Sequence, residues 1–301
     1  MSYNNDYDEG YKAVQQTVGN RVQAVRSSRP YRYGTLGLSI LVITTIIAGA
    51  VWVLFTNRTD EKADSPAASS VPPATAPAET NGQDPDVRDQ FGAPSADVFG
   101  RALEVPLNPL GAVLPQRAGK NPTNPSAAPE GLMWQKVYGA AVPFSTSDGP
   151  TKVGADGVPS GFSQTPRGAI LAGMQVMRRL VGAPRNQVPA LRSEMMTVPA
   201  GMPQESLESL VPTFTLTQDE IFAASPIPLA FKVTEARKDY VHFEVASPVS
   251  GQLQARNIVA IRTWTDMVWK DGHWKMVVST ENVPAEARYV YGALDSNWVR
   301  W

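Results

Sequence analysis

The chain has 301 residues, with 27 basic and 28 acidic side chains, two histidines, 26 prolines and no cysteine. The lack of cysteine excludes disulfides, thiolate metal sites and cysteine nucleophiles, and two imidazoles are too few for a three-histidine metal site. A formal net charge of −1 gives no reason to expect direct nucleic-acid binding. Because no phosphate-binding glycine loop and no HExxH motif is present, the sequence predicts no cofactor and no metal.

Residues 35–55 read TLGLSILVITTIIAGAVWVLF and carry no charged side chain. As a helix this segment is about 31 Å long, which matches the roughly 30 Å hydrocarbon core of a bilayer. It is too long, and begins too late in the chain, for a cleavable signal peptide. We therefore expect one transmembrane helix that anchors the chain in the cell membrane.

The charges on either side of this segment predict its orientation. Four arginines lie between residues 21 and 32, whereas only Arg58 and Lys62 closely follow the apolar segment. Positive charge is retained on the cytoplasmic side of membranes. We therefore expect residues 1–34 to be a cytoplasmic tail and the chain after residue 55 to be extracytoplasmic.

Residues 56–130 are rich in proline, alanine and serine, as in SPAASSVPPATAPAETNGQDP. This composition buries too little apolar surface to offset the entropy of ordering, so we expect a disordered linker. Residues 98–114 carry larger apolar side chains, which predict packing on the folded domain or on a partner. Six of the seven tryptophans follow residue 130, which indicates one extracytoplasmic domain over residues 131–301.

A helix is the first clear element predicted in this domain. Thr165 and Pro166 form a start signal, because threonine caps helices and proline is tolerated at their first position. Apolar residues then recur at spacings of three and four, and Gly182 and Pro184 end the helix.

The last third of the chain predicts an antiparallel sheet. Alternating apolar residues indicate four strands, at residues 229–235, 240–246, 253–269 and 274–279. Asp271-Gly272 is a strong hairpin signal between the last two strands. Together with the helix, these strands predict an α+β domain in which a curved antiparallel sheet packs against helices.

The final hairpin carries a W-x-D-x-x-W-x-D-G-x-W pattern, formed by Trp264, Asp266, Trp269, Asp271, Gly272 and Trp274. With the helix-rich first half, this pattern resembles the nuclear-transport-factor-like α+β cone. The resemblance covers residues 230–280 and implies a curved sheet with an open mouth.

Two blocks, VPFSTSDGPT at residues 142–151 and GFSQTPRGAILAG at residues 161–173, open the domain. They resemble the signature of a family of actinobacterial membrane-anchored proteins whose domain has no assigned function. The implied layout is similar to that of the single-span scaffold subunits of type IV secretion and conjugation systems. This likeness is one of architecture, which does not fix function.

Ser145, Ser147 and Asp148 invite interpretation as a nucleophile with a neighbouring acid. The Asp148-Gly149-Pro150 sequence instead favours a turn. The segment GFSQT at residues 161–165 lacks the second glycine of a nucleophile elbow. We therefore predict no catalytic residue here and keep Ser145 and Asp148 as candidates for contact with a partner.

Asp266 and His242 are the other polar candidates. His242 alternates with apolar residues on a predicted strand, where a histidine is more often hydrogen-bonded than catalytic. If Asp266 points into the cone, it requires a buried partner such as Arg256 or Arg262. A catalytic acid at this position is the alternative.

Tryptophans are further candidates for partner contacts. Trp264 is expected either in core or cross-strand packing or, if exposed, as an anchor for another protein. Trp298 and Trp301 either dock on the domain or protrude as a binding tag.

Two functions fit these patterns. The first is a non-enzymatic, membrane-anchored scaffold or assembly component of a secretion or conjugative-transfer apparatus. Its outer domain would bind other membrane or envelope proteins, or a second copy of itself. The alternative is a small-molecule-binding or hydrolytic domain that uses the mouth of the cone, with Asp266 or His242 beside other polar groups.

Overall fold

The computed structural model describes residues 88–120, 123–211, 216–279 and 284–301. The expected tail, the expected membrane span at residues 35–55 and the first part of the expected linker lie outside these residues. Within the described ranges, no helix is both long enough and apolar enough to cross a bilayer.

The described chain is an α+β fold. Its strands are β1 (Ser95–Ala96), β2 (Ala102–Leu103), β3 (Met133–Val137), β4 (Ala140–Phe144), β5 (Lys152–Val153), β6 (Pro159–Ser160), β7 (Met196–Thr197), β8 (Ala230–Ala236), β9 (Tyr240–Pro248), β10 (Ile258–Lys270), β11 (His273–Val277), β12 (Tyr289–Tyr291) and β13 (Val299–Arg300). Its α-helices are α1 (Pro166–Gly182), α2 (Val188–Met195), α3 (Leu207–Leu210), α4 (Gln218–Ala224) and α5 (Gln252–Ala255). Short 3-10 turns span Gln204–Ser206 and Ala285–Arg288.

The main sheet has the strand order β13-β8-β9-β10-β11-β7, and β12 also pairs with β10. Strands β8 to β11 form the antiparallel series that the sequence predicts. Strand β7 adds a parallel pairing to β11, so the sheet is mixed rather than purely antiparallel. Two-residue strands such as β7 and β13 carry too little periodicity to be predicted from their own residues.

Strand β10 begins later than the alternation in the sequence suggests. Residues 252–255 form the short helix α5, and Asn257 has a φ of 61°, a left-handed conformation that interrupts an extended chain. At the other end, Asp271 (φ 55°) and Gly272 (φ 79°) are both left-handed. This is the turn geometry that the Asp-Gly signal predicts, and it sets Trp269 opposite Trp274.

Helix α1 begins and ends where its sequence predicts. The Thr165 side chain accepts a hydrogen bond from the Gly168 N–H at 3.1 Å, and Pro166 is the first helical residue. One side of the helix packs on the sheet, where it closes a core that includes Leu171, Met174, Phe231, Phe243, Met267, Trp274 and Met276.

Gly173 lets α1 approach the sheet closely. A Cβ atom at this position would lie 2.8 Å from Phe243 Cζ and 3.0 Å from the Met267 sulfur. Both neighbours are fully buried, so neither has free space to move into.

Gly173→Val is therefore expected to lower the free energy of unfolding by about 1–3 kcal/mol through overpacking. Urea unfolding followed by tryptophan fluorescence measures this loss. Gly92→Val is the matched control, because a Cβ at Gly92 meets its nearest atoms only at 3.8 Å. Equal stability of the two variants would contradict the close approach of α1.

Residues 88–120 pack on the domain, which corrects the expectation of a linker that runs to residue 130. Leu103 and Leu114 are buried, and the Gln135 side chain exchanges two hydrogen bonds with the backbone of Ala112 (2.8 and 2.7 Å). The apolar residues noted at 98–114 thus have the first of their two predicted roles, packing on the folded domain. The proline-rich composition concealed this because the few large side chains follow no period.

Asp97 fastens this segment to the domain. Its carboxylate accepts hydrogen bonds from the N–H groups of Ile227 (3.0 Å) and Phe99 (2.9 Å) and pairs with the Arg101 guanidinium (2.7 Å). Burial raises the pKa of the Asp97 carboxyl, but the hydrogen bonds outweigh burial and hold this pKa below its usual value.

A folded-state pKa below the unfolded value of about 3.9 stabilises the fold above about pH 4, and this contribution disappears as pH falls through the folded-state pKa. We expect Asp97→Asn to cost about 1–3 kcal/mol at neutral pH and to flatten the fall in stability below about pH 4. Urea unfolding across this pH range tests both effects. An acid limb as steep as that of the wild type would exclude Asp97 as a contributor.

Candidate functional site

The start of α1 contains an unusual charge. Arg167 lies in the first helical turn, which holds no acidic residue, although a helix N-terminus favours negative charge. The Arg167 side chain is 1% exposed, and its Nε lies 3.1 Å from Oδ2 of Asp148, which is also 1% exposed. The sequence places these residues 19 positions apart, and the fold joins them as a buried ion pair.

Three hydroxyl groups donate hydrogen bonds to the Asp148 carboxylate. Ser163 Oγ and Thr165 Oγ1 lie 2.8 and 3.1 Å from Oδ1, and Ser147 Oγ donates to Oδ2. Since Thr165 also caps α1, the carboxylate supplies the negative charge that the first turn lacks.

Ser145 organises the loop that carries Asp148. Its buried Oγ donates to the Glu130 carbonyl at 2.7 Å and accepts from the N–H groups of Ser147 (3.0 Å) and Asp148 (3.3 Å). The Ser145 N–H donates to the Gly149 carbonyl at 3.0 Å, which closes a tight loop over residues 146–148. Ser145 therefore serves the loop backbone.

Arg167 extends the contacts upstream. Its Nη1 donates to the Lys120 carbonyl at 3.1 Å and lies 3.5 Å from Oε1 of Glu130. The polar cluster, defined as Ser145, Ser147, Asp148, Ser163, Thr165 and Arg167, thus joins three separate chain segments. A carboxylate that is 1% exposed is not open to a substrate or a partner surface, so the geometry supports a structural role for Ser145 and Asp148.

Asp266 lies on the opposite side of the sheet from α1. Side chains alternate along β10, so Thr263, Thr265 and Met267 face α1, and Arg262, Trp264, Asp266 and Val268 face away. The second set, together with Tyr240, His242 and Glu244 on β9, is named the outer face here.

The partners of Asp266 differ from the arginines that the sequence suggests. Tyr240 Oη donates to Oδ1 at 2.6 Å, and His242 Nδ1 lies 2.7 Å from the same oxygen. His242 is the cross-strand neighbour of Asp266, whereas Arg262 lies four residues, about 13 Å, away along the same strand and contacts Glu244 instead. The Asp266 side chain is 33% exposed, so it is not a buried charge.

Two arginines flank Trp264 on the outer face. The guanidinium carbons of Arg262 and Arg288 lie 5.7 and 5.2 Å from the ring centroid. Arg262 Nη1 lies 3.6 Å from Glu244, and Nη2 donates to the Ala287 carbonyl at 3.1 Å. Burial lowers the pKa of Arg288.

The two tryptophans near the end of the sequence lie at the β13 edge of the sheet. The Trp301 ring packs edge-on against Trp134, with 5.2 Å between ring centroids, and at a tilt against Phe231, with 4.8 Å between centroids. Trp301 therefore docks on the domain. Trp298 is half-buried. Trp301 therefore does not belong to the surface that holds Trp264 and Asp266.

A small groove of about 90 Å³ lies between β6 and the β10–β11 hairpin, and its lining includes Phe162, Glu194, Trp269, His273 and Trp274. Neither Asp266 nor His242 lines it. Within the described residues, no group of three or more histidine, aspartate or glutamate side chains is placed to hold a metal ion.

The sequence did not predict the partner of Asp148 on one side of the sheet or the partners of Asp266 on the other. Arg167 had one available signal, since a cation in the first turn of a helix calls for a nearby acid. Tyr240 and His242 had none, because their contact with Asp266 depends on the register of β9 against β10.

Removing one partner of the Asp148–Arg167 pair leaves the other charge buried and unpaired. We expect Asp148→Asn and Arg167→Met each to lower the free energy of unfolding by about 3–5 kcal/mol. The double variant is expected to lose clearly less than the sum of the two single losses. Urea unfolding of the four proteins measures this coupling.

Arg237 and Glu235 provide the control, because both side chains of this ion pair are about one-third or more exposed. Arg237→Met is expected to cost about 0–1 kcal/mol. Fully additive losses at Asp148 and Arg167 would show that the two residues act independently.

Comparison with known proteins adds a family. A family model described as "Domain of unknown function (DUF8175)" matches residues 93–295, a range that includes both the polar cluster and the outer face. No curated protein and no solved structure matches the chain. Since the match covers more than half of its residues, the chain belongs to the DUF8175 family of domains of unknown function.

Proposed function

We propose that this chain is a non-enzymatic, membrane-anchored scaffold protein whose domain binds a protein partner through the outer face. The observation that carries the proposal is the position of Trp264, a half-buried aromatic ring among charged groups on the side of the sheet that α1 leaves uncovered. Tryptophan and arginine are the residues most enriched at the centres of protein interfaces.

The opposite side of the sheet gives the second support. Phe243, Met267, Trp274 and Met276 are buried beneath α1 and α2, so these side chains fill the space between the sheet and the helices where a ligand cavity would be. In a nuclear-transport-factor-like cone this filling closes the interior. The remaining surface of the sheet is then the outer face.

The alternative, a hydrolytic or small-molecule-binding domain, is favoured by one observation, the contact between Asp266 and His242. An acid–base pair of this kind acts on a substrate held beside it. The small groove includes neither residue, and Asp266 Oδ1 is already engaged by Tyr240. Protein binding therefore accounts for more of the outer face.

The membrane location of the protein and its role in a larger apparatus are proposed from the sequence. Residues 35–55 provide the anchor, and the charge bias puts the domain outside the cytoplasm. The layout of tail, single span, proline-rich segment and outer domain supports an assembly role in a secretion or conjugative-transfer apparatus.

Site-specific photo-crosslinking in the native cells tests this function. A photoreactive amino acid at position 264 or 262 is expected to form the same discrete adduct with another protein or with a second copy of the chain. Leu107 and Met202 are matched controls, because both are exposed apolar residues that are not members of the outer face. Adducts that are equally abundant at all four positions, or absent at 264 and 262, would contradict the proposal.

A further inference from the structure

Arg288 holds a buried charge that lacks an anionic partner. Only 6% of the residue is exposed, and its Nε is buried without a hydrogen-bond acceptor. Among the described residues, no carboxylate lies within ion-pair distance of its guanidinium. Its contact is with the ring of Trp264, at 5.2 Å.

The neighbouring charges leave the site positive. Arg262 faces the same ring. Within the part of the chain that the structure describes, Glu244 is the one carboxylate in ion-pair contact with Arg262, at 3.6 Å from Arg262 Nη1. Asp266 is engaged by Tyr240 and His242. Among the described residues, two guanidinium groups beside Trp264 therefore have one carboxylate in ion-pair contact, which leaves an excess of one positive charge in this part of the chain.

This charge is costly as it stands. A guanidinium that loses water is stabilised by an acceptor, and a carboxylate is the acceptor whose geometry matches the planar fork best. The Nε atom of Arg262 is also buried without an acceptor. An incoming carboxylate would relieve the charge imbalance, and the Trp264 ring would cover its aliphatic stem.

We propose that Arg288, Arg262 and Trp264 form a binding site for a glutamate or aspartate side chain of the protein partner. This inference rests on the proposed function, because it names the chemistry of the partner that the outer face binds. Arg288 donates through Nη1 and Nη2, which, unlike its Nε, are not buried without a partner. Arg262, whose side chain is 38% exposed, supplies the second positive charge at the surface.

An acidic protein segment fits this site better than a nucleic acid. A phosphodiester chain is held by a track of several positive charges. Here the excess is a single charge, and Glu244 and Asp266 on the same face would repel a run of phosphates. One carboxylate is enough to balance the site.

The test measures binding of a synthetic glutamate-rich peptide to the purified full-length chain by calorimetry, with the glutamine version of the peptide as reference. We expect the glutamate peptide to bind more tightly and its affinity to fall with added salt. Arg288→Met is expected to weaken binding about 10-fold or more, as for the loss of a charge-assisted hydrogen bond. Arg288→Lys, which keeps the charge but not the fork, should lie between the two.

Arg256→Met is the matched control, because Arg256 stacks on Tyr289 rather than on Trp264 and is expected to bind the peptide as the wild type does. Thermal unfolding shows whether each variant is folded. If Arg288→Met does not fold, Arg262→Met tests the same site. Equal binding of the two peptides, an unchanged affinity of Arg288→Met, or tighter binding of a single-stranded oligonucleotide would overturn the inference. If crosslinking at position 264 succeeds while the peptide fails to bind, only this inference fails and the proposed function stands.

Discussion

The Asp148–Arg167 ion pair is the interaction on which the rest of the domain depends. Removing two charges from water is expensive, and the cost is recovered only when both are paired and hydrogen-bonded. Here the carboxylate has three hydroxyl neighbours. The guanidinium donates to the Lys120 carbonyl and lies near the Glu130 side chain, while its Nε and Nη2 have no hydrogen-bond acceptor, so the Asp148 charge is its main compensation. The pair therefore fixes the upstream segment, the Ser145–Asp148 loop and the first turn of α1 in one arrangement.

The position of α1 then decides which side of the sheet is available. Ser163, next to the start of the helix, accepts a hydrogen bond from the Trp274 indole at 2.8 Å, so the polar cluster is tied directly to β11. Gly173 brings the middle of the helix against β9 and β10. Because α1 fills one side of the sheet, the other side carries the polar and aromatic side chains of Arg262, Trp264 and Asp266. The outer face is thus a consequence of how the core closes.

Local signals predicted the elements that depend on local chemistry. The cap at Thr165, the stop at Gly182 and the turn at Asp271-Gly272 all appear in the structure at the expected residues. Long-range contacts were not accessible in this way. The partner of Asp148 lies in a different chain segment, and the partner of Asp266 depends on the register of β9 against β10. The packing of residues 88–120 depends on single apolar side chains that enter the domain core.

Hydrogen exchange of individual amides, compared between the wild type and Asp148→Asn, tests most directly whether the buried pair holds these segments together. We predict that the amides of Ser163, Gly168 and Ala169 lose more protection than those in the centres of β9 and β10, because the ion pair lies at the start of α1 and not in the sheet. Unchanged protection at these three amides, or a smaller loss there than in β9 and β10, would contradict it.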